Sequence, residues 1–333
     1  MKTLCLVWAP FGHRMDELSA AVGGTRVSIT LLYGPRFFAP LRYLALFLRT
    51  LILLAVEAPD VVYAQSPPVF CPLSSLLYCK AAGKKLVVDH HSIWRVKTIG
   101  GALGKAIGFL ESFVASSAAL NTAPHKVWAK ELIALGARRV LVVHDFVRRN
   151  PFERDQAVRA KYAGTPLIAI ASHGGHPLER LETEVRAVSQ VREMTLLVTG
   201  PPGKLAGRLR DLPPNVRYLG MLPMEEYLRL KASCDFALNI TDEPYTLSHV
   251  IFEYVASSLA VISSAQQVVV EAFGDSLAYV EKSGREEVAE AIRKLAADPR
   301  LLEEYRQKAR AMYEELQRRR TAEASELRKQ LRE

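Results

Sequence analysis

Twelve short apolar runs, rich in β-branched residues, recur along the chain and alternate with helix-like stretches. The first half holds TLCLVWA, RVSITLLY, DVVYAQ, KLVVDH, AALNTA and RRVLVVHD. The second holds PLIAIAS, MTLLVTG, VRYLG, CDFALNI, LAVISS and LAYVE. A strand that is apolar without alternation is covered on both faces, and strands separated by helical segments join as parallel sheets. The pattern predicts an α/β chain with two such sheets. The break falls near FVRRNPFERD, residues 146–155, where the sixth strand ends in a polar, proline-containing connection. A chain of 333 residues then divides into an N-terminal domain over 1–147 and a C-terminal domain over 152–302. The stretch 303–333 reads as one or two charged helices.

The basic excess is lopsided. Residues 1–147 carry 16 Lys and Arg against 8 Asp and Glu, whereas 148–302 carry 19 against 20. Such a field favours an anionic partner, a phospholipid surface or a pyrophosphate. Nucleic acid is not expected, because no basic stretch interleaves with aromatics as a stacking platform does. Cys5, Cys71, Cys79 and Cys234 show neither Cys-x-x-Cys nor zinc spacing and read as core thiols in a reducing compartment. The first residues lack the apolar run and cleavage site of a signal peptide, which predicts a cytoplasmic location.

The segment FFAPLRYLALFLRTLILLAV, residues 37–56, is almost wholly apolar, but Arg42 and Arg49 interrupt it. Each costs about 2.5–3.5 kcal/mol near a bilayer centre, so a membrane span is disfavoured. Seven residues apart, the two arginines share one helix face. Two readings stay open: a deeply packed core helix, or an interfacial helix with its arginines towards lipid phosphates.

One carboxylate, Glu253, stands in the otherwise apolar and small-residue run SHVIFEYVASSLAVISS, residues 248–264. A buried, unpaired carboxylate costs several kcal/mol or turns neutral, so something polar must meet it. Upstream, MTLLVTGPPGKLAGRL and NVRYLGMLPMEEYLRLKASCDFALNI give a strand and turn, then a strand, a proline-opened helix and a strand. This succession resembles the C-terminal half of GT-B glycosyltransferases of the group 1, family-4-like kind. The first half is similar too, in PDVVYAQSPPVFCPLSSLLYCKAAGKKLVVDHHSIW.

The resemblance implies a GT-B fold, two Rossmann-like doubly wound parallel-sheet domains facing across a cleft, with the C-terminal helix crossing back onto the first domain. It implies a glycosyltransferase using a UDP- or GDP-linked sugar. Glu253 matches the acidic residue that binds the donor ribose, a charge-assisted contact. Ser248 and His249 lie beside it. Tyr245 stands where the family's second Glu is usual, with Asp242 and Glu243 just upstream.

The turn IASHGGHPLER, with Ser172, His173, Gly174, Gly175 and His176, forms an anion cradle for the donor diphosphate at a helix start. His173, His176 or Arg180 would replace the family's Arg and Lys. Gly200 opens a tight turn, GPPGK, beside the nucleobase. It is not a Walker loop, because two prolines remove amide donors and no Ser or Thr follows Lys204. In the first domain Gly12, His13 and Asp16 fall between the first strand and helix, where the resemblance implies a loop that closes over acceptor and phosphates. Asp89, His90 and His91 fall at the carboxyl end of a strand, where open α/β sheets bind ligands. His91 matches the family's cleft histidine.

Asp89, His91, Asp145 and LSHVIFEY also resemble the chitobiosyl-diphosphodolichol β-mannosyltransferase branch, although Val250 replaces its Lys. That branch inverts the anomeric centre and needs a base near the acceptor hydroxyl, for which Asp16, Asp89 and His91 are the candidates. No Asp-x-Asp occurs in the chain. Leaving-group charge is therefore expected to meet helix amides, His and Arg, with no metal and no cofactor. The expected acceptor is lipid-linked or membrane-associated, with the enzyme peripheral on the inner face of an anionic membrane. Two rivals stand beside this reading: a non-catalytic scaffold subunit of a glycosylation complex, and a sugar-nucleotide epimerase of the same architecture.

Overall fold

Each of the twelve apolar runs contains a strand. The computed structural model describes residues 1–333 apart from 11, 32–37, 92–99, 163–164, 175–178, 203–206 and 208–210. It divides into two units, Met1–Phe146 with Arg318–Glu333, and Val147–Gln317.

The first unit runs β1 (Thr3–Val7), α1 (His13–Val22), β2 (Thr25–Ser28), α2 (Ala39–Glu57), β3 (Val61–Ser66) and α3 (Phe70–Ala82). It continues with β4 (Lys85–His90), α4 (Gly101–Ser117), β5 (Leu120–Ala123), α5 (Lys126–Ala134) and β6 (Val140–Val142). The sheet order is β2-β1-β3-β4-β5-β6, with every pairing parallel. One face packs on α2, α3 and α4 through Leu46, Leu54, Cys71, Leu76, Cys79 and Val114. The other packs on α1 and on Leu327 and Leu331 near the chain's end. Continuous apolar strands are thus the signature of a sheet covered on both sides. All four cysteines are buried thiols.

The second unit runs α6 (Gln156–Tyr162), β7 (Leu167–Ser172), α7 (Leu181–Val188), β8 (Met194–Thr199), β9 (Val216–Gly220) and α8 (Met224–Ser233). Then come β10 (Phe236–Asn239), α9 (His249–Ala256), β11 (Ala260–Ser264), α10 (Gln267–Phe273), β12 (Ala278–Val280) and α11 (Arg285–Ala297). Its sheet, β12-β11-β10-β7-β8-β9, is also wholly parallel. Strand order reverses between β7 and β10, and at such a reversal the two βα turns diverge and leave a ligand crevice at the carboxyl ends. The last helix, α12 (Pro299–Arg332), is a single rod of 34 residues, about 50 Å at 1.5 Å per residue.

Only one side of α2 is enclosed. Leu46, Thr50 and Leu54 are buried, and the Thr50 hydroxyl accepts from Trp8 Nε1 at 3.0 Å while donating to the Leu46 carbonyl. Opposite them, Leu41, Leu44, Leu48, Ile52 and Val56 form an outward stripe, each between 50% and 76% exposed. The deeply packed alternative for this segment is therefore not what the chain adopts. At 100° per residue Arg42 and Arg49 border that stripe on one flank.

Candidate active site

The strand reversal of the second unit places Ser172, at the end of β7, near the start of α9 and beside the end of β8. Glu253, one turn into α9, is 23% exposed at its side chain. Its Oε2 accepts from Lys231 Nζ at 2.7 Å and from Tyr227 Oη at 2.9 Å, both on α8. Because the Tyr227 proton is committed to Glu253, the Ser172 hydroxyl donates to Tyr227 at 2.9 Å, and Thr199 donates to Ser172 at 2.9 Å. A relay of hydroxyls from two strand ends thus terminates on one carboxylate oxygen. The other oxygen, Oε1, has His249 Nε2 at 3.9 Å and accepts no hydrogen bond among the described residues.

Burial pushes the Glu253 carboxyl up, but Lys231 outweighs it and holds the group below its ordinary range. Lys231 itself, 2% exposed, is drawn below its ordinary value by burial in spite of Glu253. The polar group that Glu253 requires is thus supplied by the chain itself. Lys231 and Tyr227 occupy Oε2, while Oε1 has room for a further donor. Lys231 and Tyr227 went unmarked in sequence reasoning. Their signal is the helical register YLRLK, four residues apart on the inward face of α8.

The β7 turn is more occupied than a bare anion cradle. His173 is buried, with Nε2 at 2.6 Å from Glu184 Oε2 and Nδ1 at 3.4 Å from Glu179 Oε2. Burial opposes its charge, yet Glu184 and then Glu179 raise its pKa to about 10. The Gly174 amide donates to Glu179 Oε1 at 2.9 Å, so a carboxylate of the chain holds the amide assigned to a phosphate. Arg180 is paired with Asp242. Gly175 and His176 lie outside the described residues, as does Lys204. Ser248 precedes α9 and its Oγ lies 3.5 Å from Asn239 Nδ2. Tyr245 is half-buried, its amide reaching Glu243 at 3.4 Å. Gly200 takes φ 147°, a conformation suited to glycine, and its carbonyl accepts from Tyr218 at 2.9 Å.

In the first unit Asp89 is fully buried and does not face a substrate. Arg14, in the first turn of α1, binds it with Nε at 3.0 Å and Nη2 at 2.8 Å, and reaches Asp145 with Nη1 at 2.8 Å. Thr122 also donates to Asp89, at 2.9 Å. Asp89 as a base for the acceptor is therefore corrected. One guanidinium locks two strand-end carboxylates to α1, and a buried charge pair of this kind holds geometry. Asp16 is exposed and paired with Arg26 at 3.0 Å, so it is no isolated base either. His13 opens α1 on the surface, next to the half-buried Gly12. His91 is exposed just past β4, its amide bonded to the Ser66 carbonyl at 2.9 Å.

Behind His91, the buried His90 meets Asn121 at 2.9 Å, and Glu111 accepts from Ser66 at 3.0 Å. Burial lowers His90 to about 4 and raises Glu111 to about 7.

Two family models match the chain, a glycosyl transferase 4-like domain over residues 6–145 and a glycosyl transferase-like domain over 180–324. No curated protein sequence matches at a significant level. Among solved structures, HepE of Anabaena, in complex with UDP and glucose, is similar with a TM-score of 0.80 at 15% identity, covering 98% of this chain and 99% of that one. A sucrose-phosphate synthase from Thermosynechococcus elongatus gives 0.78 at 16% identity, with 99% of each chain covered. A glycosyltransferase from Rickettsia africae gives 0.76 at 15%, covering 99% and 98%. The twin parallel sheets, the paired family matches over both halves and these folds lead to one conclusion: the chain belongs to the group 1, family-4-like GT-B glycosyltransferases.

Proposed function

We propose that the enzyme takes its sugar from a nucleoside diphosphate donor, UDP- or GDP-linked, and delivers it to a lipid-linked acceptor at an anionic membrane. The observation that carries the donor assignment is Glu253 at the strand reversal, held ionised through one oxygen with the other left for a diol. HepE, of the same fold, has been solved with UDP and with UDP-glucose, which makes UDP the first nucleotide to test. Ser248, His249, Gly200 and Tyr245 surround this position along the chain and fit the remaining donor contacts. His91, exposed at a strand end of the first unit, is the candidate base, with Gly12 and His13 towards the acceptor.

The outward apolar stripe of α2, flanked by Arg42 and Arg49, supports a membrane-facing acceptor, since apolar burial and phosphate attraction act together at an interface. Metal is not required in this reading: the leaving diphosphate meets amides and cations, and turnover is expected to persist in EDTA. Titration calorimetry with UDP tests the donor reading. Glu253→Gln is expected to weaken UDP at least tenfold, as loss of a charge-assisted contact is worth roughly 1.5–3 kcal/mol. Equal affinity in parent and variant overturns it.

A further inference from the structure

A polar cavity of about 650 Å³ opens in the second unit among Arg149, Arg154, Arg306, Arg310, Phe152 and Ser258. It lies at the opposite end of α9 from the donor position, where that helix finishes at Ala256. Three of the four arginines have carboxylate partners. Arg154 meets Asp235 at 2.7 Å, Arg310 meets Glu303 at 3.3 Å and Arg149 meets Glu314 at 3.5 Å. Asp235 is not Arg154's alone, because Arg159 also binds it, at 3.0 Å. Arg306 has no carboxylate within ion-pairing distance among the described residues, and its Nε is buried without an acceptor.

Arg306 is the guanidinium left over. Burial draws Arg306 below its ordinary pKa, Arg154 draws it further, and Arg310 adds to this against the opposing pull of Glu303 and Asp235. Guanidiniums brought together with an unfilled donor constitute a repulsion that an anion relieves, and the planar fork of Arg suits phosphoryl oxygens. The carboxyl end of α9 contributes about half a negative charge. Glu153 also lines the space, and Asp235, Glu303 and Glu314 are engaged with the other arginines, with Asp235 shared by Arg159, so the donor left without an acceptor among the described residues is that of Arg306. Ser258, at φ 57° where glycine is usual after a helix, adds a hydroxyl to the wall.

We infer that this arginine-lined cavity is a binding site for a compact, soluble phosphoryl anion, distinct from the donor site. It joins the segment that leaves the first unit, Arg149–Arg154, to α12 a few residues before Arg318, where the chain returns to that unit. An anion there clamps both connections to the second unit.

The test is calorimetric titration of pyrophosphate into the full chain, with UDP present in excess so that donor binding is silent. Parent protein is expected to bind one pyrophosphate and to melt at higher temperature with it. Arg306→Gln with Arg310→Gln is expected to lose at least tenfold in pyrophosphate affinity. Arg306→Lys is expected to lose less, and unchanged UDP affinity in each variant certifies the fold. The site is refuted if parent protein takes up no pyrophosphate beyond what UDP displaces, or if the double variant binds it equally. A parallel sedimentation with phosphatidylglycerol vesicles separates the sources. Vesicle binding that needs Arg306 and Arg310 while pyrophosphate fails to bind makes the ligand a headgroup and overturns the soluble reading. If UDP itself does not bind, the pyrophosphate titration without nucleotide still reports on this cavity.

Discussion

Lys231 shows how much one side chain decides. It has no solvent, and its charge is matched by a carboxylate that is also a candidate ligand contact. Replacing it with Met removes the main opposition to burial and leaves only Tyr227 and His249 against it, which raises the carboxyl. UDP affinity of Lys231→Met is therefore expected to fall and to recover with rising pH over roughly 5 to 8, while the parent stays flat across that window. A flat profile in the variant removes Lys231 from donor recognition. Glu111 behaves in the opposite sense. Its folded pKa, about 7, lies above the ordinary 4.5, so its contribution to stability is present below the ordinary value and is lost as pH rises through 7. Glu111→Gln is accordingly expected to raise the melting temperature at pH 8 by roughly 2–5 °C and to leave it unchanged at pH 4.5. Neither partner was legible in the chain, since Lys231 and Glu253 are 22 residues apart and Arg14 and Asp89 are 75 apart. A lone charge in an apolar run announces that a partner exists, not where it is.

At the scale of elements, periodicity conveyed more. Strands such as Leu167–Ser172 and Met194–Thr199 coincide with the runs read from sequence, because strands covered on both faces are buried at almost every position. For α2 the same logic fails: a helix apolar all round does not declare which side meets the core. The bond from Trp8 to Thr50 settles that choice and turns the Leu41–Val56 stripe outward. Vesicle co-sedimentation at low salt checks the consequence. Arg42→Glu with Arg49→Glu is expected to release the protein from phosphatidylglycerol vesicles, and Leu44→Ser with Ile52→Ser to do so at any salt. Retention of both variants on vesicles defeats the interfacial role. The β7 turn was read as an open cradle because glycines suggest room. That the Gly174 amide donates to Glu179 is something composition does not encode.

For the molecule as a whole the long helix is decisive. Composition announced charged helix after residue 302, but a solvated face and a packed one look alike until the register of Leu327 and Leu331 is set against Met15 and Leu18. Arg139 with Glu333, and His144 with Glu323 at 2.6 Å, fasten the same segment. Leu327→Ala is expected to cost the first unit about 2–5 kcal/mol, read as an earlier denaturant transition, with the second unit's transition unmoved. A single shift common to both transitions counts against independent units.

Since Arg318–Glu333 is translated after both sheets, β1 to β6 leave the ribosome before the segment that covers one side of their sheet exists. The second unit, drawn from one uninterrupted stretch, is complete in sequence earlier. Biosynthesis of this enzyme therefore leaves an early-made half waiting, its Val7, Met15 and Leu18 surface uncovered, until Leu327 and Leu331 arrive to seal it.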